Sequence, residues 1–312
     1  MIEIQGLAKR YGHKPVVNNV SFEIDECEAV GFLGRNGAGK TTTMNMIAGY
    51  TPPSAGRVFV DGIDVAERPE QAKRLIGYLP EHPPLYADMT VFEYLRFAGE
   101  LKGVRARVLG GQIESAAKTL MIEDTLGRLI RNLSKGYRQR VGIAQTLMGE
   151  PKYIILDEPT VGLDPEQIVE LRATIRRVAQ IRTVILSSHI LHEVADVCKR
   201  VIIINNGELV AQDTLDALKK CASRVDRLVV RVRGNDANGI LAEIRGILSV
   251  EQLTRAESGA NDYLLVCDPV IDVRGGIAAA CTAEGRTLLM LRPVDFSLED
   301  VFLRLINEKE TL

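Results

Sequence analysis

The stretch Gly34-Arg35-Asn36-Gly37-Ala38-Gly39-Lys40-Thr41 decides the fold of this 312-residue chain. It satisfies the pattern G-x-x-x-x-G-K-[ST], in which glycines let successive backbone N–H groups point at phosphate oxygens. The apolar segment Ala29–Leu33 precedes it, and a helical pattern follows to Ala48, with Gly49 as its stop. This order of strand, loop and helix predicts an anion site at the positive end of the helix.

Four side chains indicate which ligand the loop binds and which reaction follows. We expect Lys40 to bridge the β- and γ-phosphates of a nucleoside triphosphate, and the Thr41 hydroxyl to ligate magnesium. A buried strand over residues 153–156 ends in Asp157 and Glu158, and charges there are costly unless they are used or paired. We expect Asp157 to hold Mg²⁺ through water and Glu158 to accept a proton from an attacking water. The alternative is a solvated strand end.

The composition excludes several classes of protein. The chain has 39 basic and 41 acidic residues, so it has no broad basic field for nucleic acid or an anionic membrane surface. Its five cysteines include no Cys-x-x-Cys pair, which argues against a disulfide framework or a zinc site. The apolar runs are far shorter than the roughly 18 residues of a membrane span. We therefore expect a cytoplasmic protein that reaches a membrane only through a partner.

Strand and helix patterns predict two domains. Strands alternate with helices over residues 1–220, which predicts a mainly parallel, three-layer α/β sheet with a helical subdomain inserted at about 85–150. Residues 221–312 show a βαββαβ order, which predicts a small ferredoxin-like α+β domain whose first helix covers 240–247. A last helix, with Ser297 as its cap, would carry one apolar stripe: Leu298, Val301, Phe302, Leu305 and Ile306.

Further motifs narrow the field to one family. The segment Leu133-Ser134-Lys135-Gly136-Tyr137-Arg138-Gln139-Arg140 resembles the signature sequence of the ATP-binding cassette (ABC) transporter ATPases. Val161-Gly162-Leu163-Asp164 resembles their D-loop, and Ser188-His189 resembles their switch histidine. Tyr11 is placed like the aromatic residue that stacks on adenine. These motifs follow the family's order and spacing over residues 1 to about 215.

The resemblance implies a phosphate-loop (P-loop) NTPase fold, ATP and Mg²⁺ as ligands, and two copies that close head-to-tail around two ATP molecules. The catalytic residues implied are Glu158, His189 and Glu81, and the metal ligands are Thr41, Asp157 and Glu81. Ser134 and Gly136 would contact the γ-phosphate held by the opposite subunit. The nucleotide-binding residues implied are Tyr11, Gly34, Arg35, Asn36, Gly37, Ala38, Gly39, Lys40, Thr41, Thr42, Ser134 and Gly136.

The chain departs from the family pattern at three positions. Lys135 and Tyr137 stand where the family usually has glycine and glutamine. Glu81 stands where the Q-loop has glutamine; it can still ligate magnesium, but it adds a negative charge beside the γ-phosphate. Residues 82–86 and 297–302 resemble the corresponding segments of exporters with a separate permease, such as ATP-binding subunits associated with gliding motility. The resemblance implies a homodimer or paired cassette, with the permease docked near residues 83–86 and the helix after Thr90.

Other interpretations stay open at this stage. Tyr11 could be packed at a strand edge, Ser134 could be an ordinary helix cap, and His189 a satisfied polar group. The chain could be an ABC ATPase that moves no solute, which co-purification with a permease would exclude, or a phosphate-loop kinase, which release of free phosphate would exclude. The C-terminal domain could pack against its twin or its cassette, or bind a regulatory ligand. No nucleic-acid partner is expected.

Overall fold

The computed structural model describes residues 1–222, 226–234, 236–253 and 259–294. The chain forms two compact units, Met1–Leu215 and Asp216–Leu312, whereas the sequence pattern places the boundary after residue 220. Helix α8, Leu215–Ala222, begins at this boundary. The amphipathic helix expected from Ser297 onward lies outside the described residues. None of the described helices combines the length and apolar character that crossing a bilayer requires.

The first unit contains two sheets. Its strands are β1 Ile2–Tyr11, β2 Lys14–Ile24, β3 Ala29–Leu33, β4 Ala55–Val60, β5 Ile63–Asp64, β6 Ile76–Leu79, β7 Tyr153–Asp157, β8 Thr183–Ser188, β9 Arg200–Asn205 and β10 Glu208–Thr214. A six-stranded sheet has the order β10-β9-β3-β8-β7-β6, and all its neighbours are parallel except the antiparallel pair β9–β10. The separate antiparallel sheet β2-β1-β4-β5 is not part of the expected three-layer arrangement.

Parallel pairing determines where the functional side chains meet. The carboxyl ends of β3, β7 and β8 lie at one edge of the six-stranded sheet, because Leu33 pairs with Ser188 and Asp157 pairs with Ser187. The strands are buried on both faces, as expected for parallel strands covered by helices. The chain segments that follow these strands therefore emerge side by side, which is where ligands bind in such sheets.

The helices of the first unit flank this sheet or form the inserted subdomain. They are α1 Lys40–Ile47, α2 Pro69–Leu75, α3 Val91–Leu101, α4 Ala106–Leu120, α5 Lys135–Thr146, α6 Pro165–Ala179 and α7 Leu191–Ala195. Within the insert, α3, α4 and α5 pack against one another. Thr90 and Glu93 form the capping box that the sequence predicts at the start of α3, which satisfies two backbone N–H groups of its first turn. Pro165 is the first residue of α6, as predicted.

The second unit has the strand order of a ferredoxin-like domain. Its elements are β11 Asp226–Arg233, α9 Asn238–Ala242, β12 Ile247–Gln252, β13 Ala260–Cys267, α10 Arg274–Ala283 and β14 Thr287–Pro293. The sheet order β12-β13-β11-β14 is antiparallel throughout and confirms the predicted fold class. The helix predicted over 240–247 is wrong at its end. Helix α9 already ends at Ala242, with Glu243 as its C-cap, and Ile247 begins β12.

Candidate active site

The phosphate loop connects β3 to α1 and presents an uncapped helix end. Gly39 precedes α1 with a φ of 102°, a backbone conformation that side chains rarely adopt, and a Cβ here would lie 2.8 Å from the Val16 carbonyl oxygen. No side chain caps this helix, so the N–H groups of its first turn remain available to an anion. Arg35, Asn36 and Gly37 form the exposed top of the loop.

Lys40 lies folded inside this loop. Its side chain is only 6% exposed, and its Nζ donates to the carbonyl oxygens of Gly34 at 2.8 Å and Arg35 at 3.3 Å. The same ammonium lies 3.2 Å from Oε1 of Glu158. A buried ammonium needs such partners, because burying an unpaired charge costs several kcal/mol or more.

Asp157 is a fully buried carboxylate at the end of β7. Its Oδ1 accepts a hydrogen bond from the Ser187 hydroxyl, while its Oδ2 has no hydrogen-bond partner among the described residues. Burial raises the pKa of Asp157, and the charges of Glu158 and Glu81 raise it further; Ser187 and Thr41 act in the opposite direction. The Thr41 side chain therefore lies close enough to the Asp157 carboxylate to act on it.

Glu158 joins the loop to the histidine predicted by the sequence. Its backbone has a φ of 48°, an uncommon conformation for a residue with a side chain, which turns the carboxylate away from the strand. Oε1 faces Lys40, and Oε2 lies 2.9 Å from Nδ1 of His189. Glu158 is nearly buried, at 7% exposure, whereas His189 is 39% exposed. The structure thus brings Lys40, Glu158 and His189 into one chain of contacts.

Sequence reasoning missed the serine that holds the two acids in place. The Ser187 hydroxyl accepts from the Glu158 N–H at 2.9 Å and donates to Asp157, so one side chain fixes the turn between them. Ser187 lies beside Asp157 because strand β8 pairs in register with β7. The signal was present in the sequence as a polar residue at the end of an otherwise apolar strand.

A second missed contact connects the segments after Glu158 and His189. The Thr160 hydroxyl donates to Glu193 Oε2 at 2.6 Å, and the Ser188 hydroxyl approaches the same oxygen at 3.4 Å. Glu193 is 3% exposed, and Arg172 on α6 lies 3.8 Å from its other oxygen. A buried carboxylate with these partners ties α6 and α7 to the loop after β7, which restricts the positions of both proposed catalytic side chains.

The other predicted site residues lie at several places around this centre. Glu81 is exposed after β6, close enough to Asp157 for its charge to affect that group. Tyr11, at the end of β1, is 54% exposed and has Lys9 Nζ at 5.2 Å from its ring centre, so it is not packed into a strand edge. Ala38 is buried within the loop, while Thr41 is exposed and Thr42 is half-buried at the start of α1.

Ser134 and Gly136 stand at the beginning of α5, apart from Lys40. Ser134 caps the helix by accepting from the Tyr137 N–H at 3.3 Å, and it remains exposed. Gly136 is buried, and a Cβ there would lie 2.6 Å from Oε1 of Gln167. In the described part of the chain, no hydrogen bond or ion pair joins Ser134 to Lys40, Glu158 or His189.

The residues present fit a magnesium ion that shares its ligands with a nucleotide. The described residues contain no group of three or more His, Cys, Asp and Glu side chains arranged to hold a metal by themselves. Asp157 Oδ2 is a buried oxygen without a hydrogen-bond partner among the described residues, and Thr41 lies close to the same carboxylate. Mg²⁺ prefers such oxygen ligands. Magnesium in nucleotide sites is held by one or two carboxylates together with phosphate oxygens and water, which suits this donor set.

Comparisons with known proteins agree with the geometry. Residues 17–161 match the family model described as ABC transporter. The uncharacterized ABC transporter ATP-binding protein YxlF of Bacillus subtilis (strain 168) is 34% identical over 98% of this chain and 100% of its own. The Nod factor export ATP-binding protein I of Burkholderia lata is 32% identical, over 99% of this chain and 97% of its own.

A solved structure supports the same assignment at the level of fold. The ATP-binding subunit of an ABC transporter superposes with a TM-score of 0.65 at 32% identity, over 72% of this chain and 93% of that one. At one edge of the six-stranded sheet, the fold brings together the phosphate loop, the Asp157–Glu158 turn and His189. The chain therefore belongs to the family of ATP-hydrolysing, ATP-binding subunits of ABC transporters.

Proposed function

We propose that this subunit binds Mg-ATP at the loop from Gly34 to Thr42 and hydrolyses it with Glu158 as the general base. The observation that carries the proposal is the contact chain from Lys40 through Glu158 to His189. Lys40 offers an ammonium where the triphosphate would meet the start of α1. Glu158 is a nearly buried carboxylate with both oxygens engaged, which is the environment of a base that must be held in a fixed position.

Hydrolysis requires Lys40 and Glu158 to separate. While Glu158 faces the ammonium, its Oε1 is engaged by Lys40 and is not available to a water molecule. Binding of the triphosphate would give Lys40 new anionic partners and leave Glu158 to orient and deprotonate water. His189 contacts Oε2 and would keep the carboxylate pointed at that water, while reaching the γ-phosphate itself. Magnesium, held by Thr41, Asp157 and Glu81, would offset phosphate charge in the transition state.

A second copy would complete each site. Ser134 is exposed at the start of α5, and its hydroxyl makes its described contact with the Tyr137 N–H of its own helix. The Ser134 hydroxyl and this helix end suit the γ-phosphate of an ATP molecule held by the opposite subunit, since a helix N-terminus stabilises an anion. Two such sites related by two-fold symmetry would give a head-to-tail dimer, or a paired cassette, around two ATP molecules.

In this proposal the membrane partner docks at a groove in the first unit. It has a volume of about 460 Å³ and lies between the segment after β6 and helix α3. Its lining combines aromatic side chains with lysines, and burial lowers the pKa of Lys102, one of these, to about 8. Such a groove suits a short amphipathic segment of a permease. The aromatic residues of the groove are Tyr50, Tyr78, Tyr86, Tyr94 and Phe97.

The direction of transport is proposed as export. Nod factor export is named for a relative that aligns with nearly the whole of this chain, including the second unit. The second unit has a hydrophobic core of its own. The protein would lie at the inner face of the cell membrane through its permease.

The substitution Lys40→Met tests the nucleotide site directly. We expect the purified wild-type protein to release free phosphate from Mg-ATP, and Lys40→Met to bind ATP about 10- to 100-fold more weakly, because charged hydrogen bonds contribute about 1.5–3 kcal/mol. Lys118→Met, on the exposed surface of α4, is the matched control and should behave as wild type. Unchanged ATP affinity in Lys40→Met would exclude the site, and phosphoryl transfer to another acceptor would exclude hydrolysis.

A further inference from the structure

One carboxylate, Glu193, lies between the two segments that carry the proposed catalytic side chains. It is buried and belongs to the short helix α7, four residues after His189. Its Oε2 accepts a hydrogen bond of 2.6 Å from the hydroxyl of Thr160, which follows Glu158 by two residues. The hydroxyl of Ser188, at the end of β8, lies 3.4 Å from the same oxygen. This oxygen therefore joins the segment after β7 to the end of β8.

A cation from a third element balances the buried charge. Nη2 of Arg172, on α6, lies 3.8 Å from Oε1 of Glu193, so each carboxylate oxygen has a partner. Arg172 also pairs with Asp196, just after α7. A buried carboxylate without such partners would be costly. Glu193 is therefore held from α6, and it can serve as a fixed acceptor for the Thr160 hydroxyl.

Glu158 and His189 differ in how firmly each is held. The Glu158 N–H donates to Ser187 at 2.9 Å, and its carboxylate lies against both Lys40 and His189. The His189 imidazole is 39% exposed. Within the described ranges its side chain has one polar contact, that of Nδ1 with Glu158. The position of this ring therefore depends mainly on the backbone of its own segment.

Ser188 shapes that backbone. Its hydroxyl accepts from the Ile190 N–H at 3.0 Å, which closes a turn around His189. The same hydroxyl faces Glu193. Because Glu193 is itself fixed, it holds this turn close to the segment after Glu158. These contacts do not include the phosphate loop.

We propose that Glu193 is a positioning residue for His189. By accepting from Thr160 and facing Ser188, it keeps the imidazole in contact with Glu158, so that ring and base act at the same place. Loss of this link lets the ring move away from Glu158 and slows the chemical step, while the nucleotide still binds at the phosphate loop. The inference rests on the proposed function, because hydrolysis of Mg-ATP is one of its readouts.

Removal of the Thr160 hydroxyl tests the link with little change in side-chain shape. We expect Thr160→Val to lower kcat about 10- to 100-fold, the effect of a small misplacement at a catalytic group. KM for Mg-ATP should change less than about two-fold, because the nucleotide contacts are kept. Thr160→Ser keeps the hydroxyl and should restore kcat to near the wild-type value. Thr282→Val, which removes an exposed hydroxyl in the second unit, should leave both constants unchanged.

Glu193→Ala should give the same split between kcat and KM. It also deprives the buried Arg172 of one partner, so this variant can unfold, and Thr160→Val is the cleaner test. Thermal unfolding identifies which variants are folded at the assay temperature. An unchanged kcat in folded Thr160→Val, or a rise in KM without a fall in kcat, would overturn the inference.

A double-mutant cycle shows whether the effect passes through His189. In the His189→Ala background, Thr160→Val should change kcat less than about two-fold, because the ring that it displaces is gone. A purely structural loss would reduce kcat by the same factor in both backgrounds. Equal factors would therefore contradict a positioning role.

A spectroscopic measurement follows the ring without catalysis. The chain has four histidines, so isotope-labelled protein gives few ring signals in NMR spectra, and His189→Ala identifies those of His189. In nucleotide-free Thr160→Val we expect the His189 signals to shift or broaden while those of His13 stay in place; in Thr160→Ser both should stay. Unchanged His189 signals in Thr160→Val would also overturn the inference. Failure of the proposed function is recognised separately, since the wild type would then release no phosphate while the ring signals still respond.

Discussion

At the scale of single residues, the site depends on Glu158 holding an unusual backbone conformation. Its φ of 48° directs the carboxylate toward Lys40 and His189, and the Ser187 hydroxyl stabilises the turn by accepting the Glu158 N–H. Such a conformation costs about 1–3 kcal/mol and persists only where neighbouring contacts over-determine it. The position of the Glu158 carboxylate therefore depends on contacts with other segments and not on strand β7 alone.

Glu158→Gln separates binding from chemistry. The amide keeps the size of the side chain but cannot accept a proton, so we expect hydrolysis to slow by about two to four powers of ten. ATP binding should be retained, because Lys40 no longer has a carboxylate competing with the phosphates. Phosphate release and equilibrium ATP binding measure the two effects. A wild-type turnover rate in Glu158→Gln would remove this residue from the mechanism.

At the scale of elements, helix ends supply most of the groups proposed to meet phosphate. Helix α1 begins without a side-chain cap, whereas α5 begins with Ser134, whose hydroxyl already accepts from the Tyr137 N–H. The two helix ends therefore differ in the hydrogen-bond donors that they present to a phosphate. An uncapped helix end has more free N–H donors for a phosphate. A capped end is already stabilised by its own serine, whose hydroxyl can still donate to a phosphate oxygen.

Two substitutions at Ser134 separate the cap from the phosphate contact. Ser134→Ala should lower the free energy of unfolding by about 0.5–2 kcal/mol, the usual cost of losing an N-cap. Ser134→Asp should keep this stability, because aspartate caps equally well, yet lower ATPase activity at least about ten-fold through repulsion of the phosphate. Denaturant unfolding and phosphate release provide the measurements. Full activity in Ser134→Asp would reduce Ser134 to a structural cap.

At the scale of the whole molecule, one chain contains every part of the proposed site but not in one place. Lys40, Asp157, Glu158 and His189 meet at the edge of the six-stranded sheet. Ser134, at the start of α5, makes its described contacts within its own helix. In the proposed dimer, a second copy would bring its Ser134 to this edge.

This division predicts a dimer that depends on ATP. With Mg-ATP, Glu158→Gln should sediment as a dimer, because slow hydrolysis leaves the nucleotide between the two subunits. Without nucleotide the same variant should sediment as a monomer, and adding Ser134→Asp should weaken the dimer. Sedimentation velocity at several protein concentrations distinguishes these states. A monomer under every condition would contradict the shared site.

The sequence by itself determined the local chemistry of this protein. Gly34 to Thr41, the acids at 157 and 158, and the capping box at Thr90 are patterns whose function depends on neighbours in the chain, so they could be read directly. The same holds for the parallel sheet and for the βαββαβ order of the second unit. The helix predicted over 240–247 is an exception, because α9 ends at Ala242 and the apolar residues that follow belong to a turn and to β12.

Only the tertiary structure decided which of these residues touch. The ties of Ser187 to Asp157 and of Glu193 to Thr160 join residues about thirty positions apart, through strand register and helix packing that no local pattern encodes. The cavity of about 330 Å³ that Glu81, Lys135 and Val161 line likewise joins distant parts of the chain. The physical reason is that sequence periodicity specifies an element and its buried face, whereas contacts between elements depend on how several such faces pack at once.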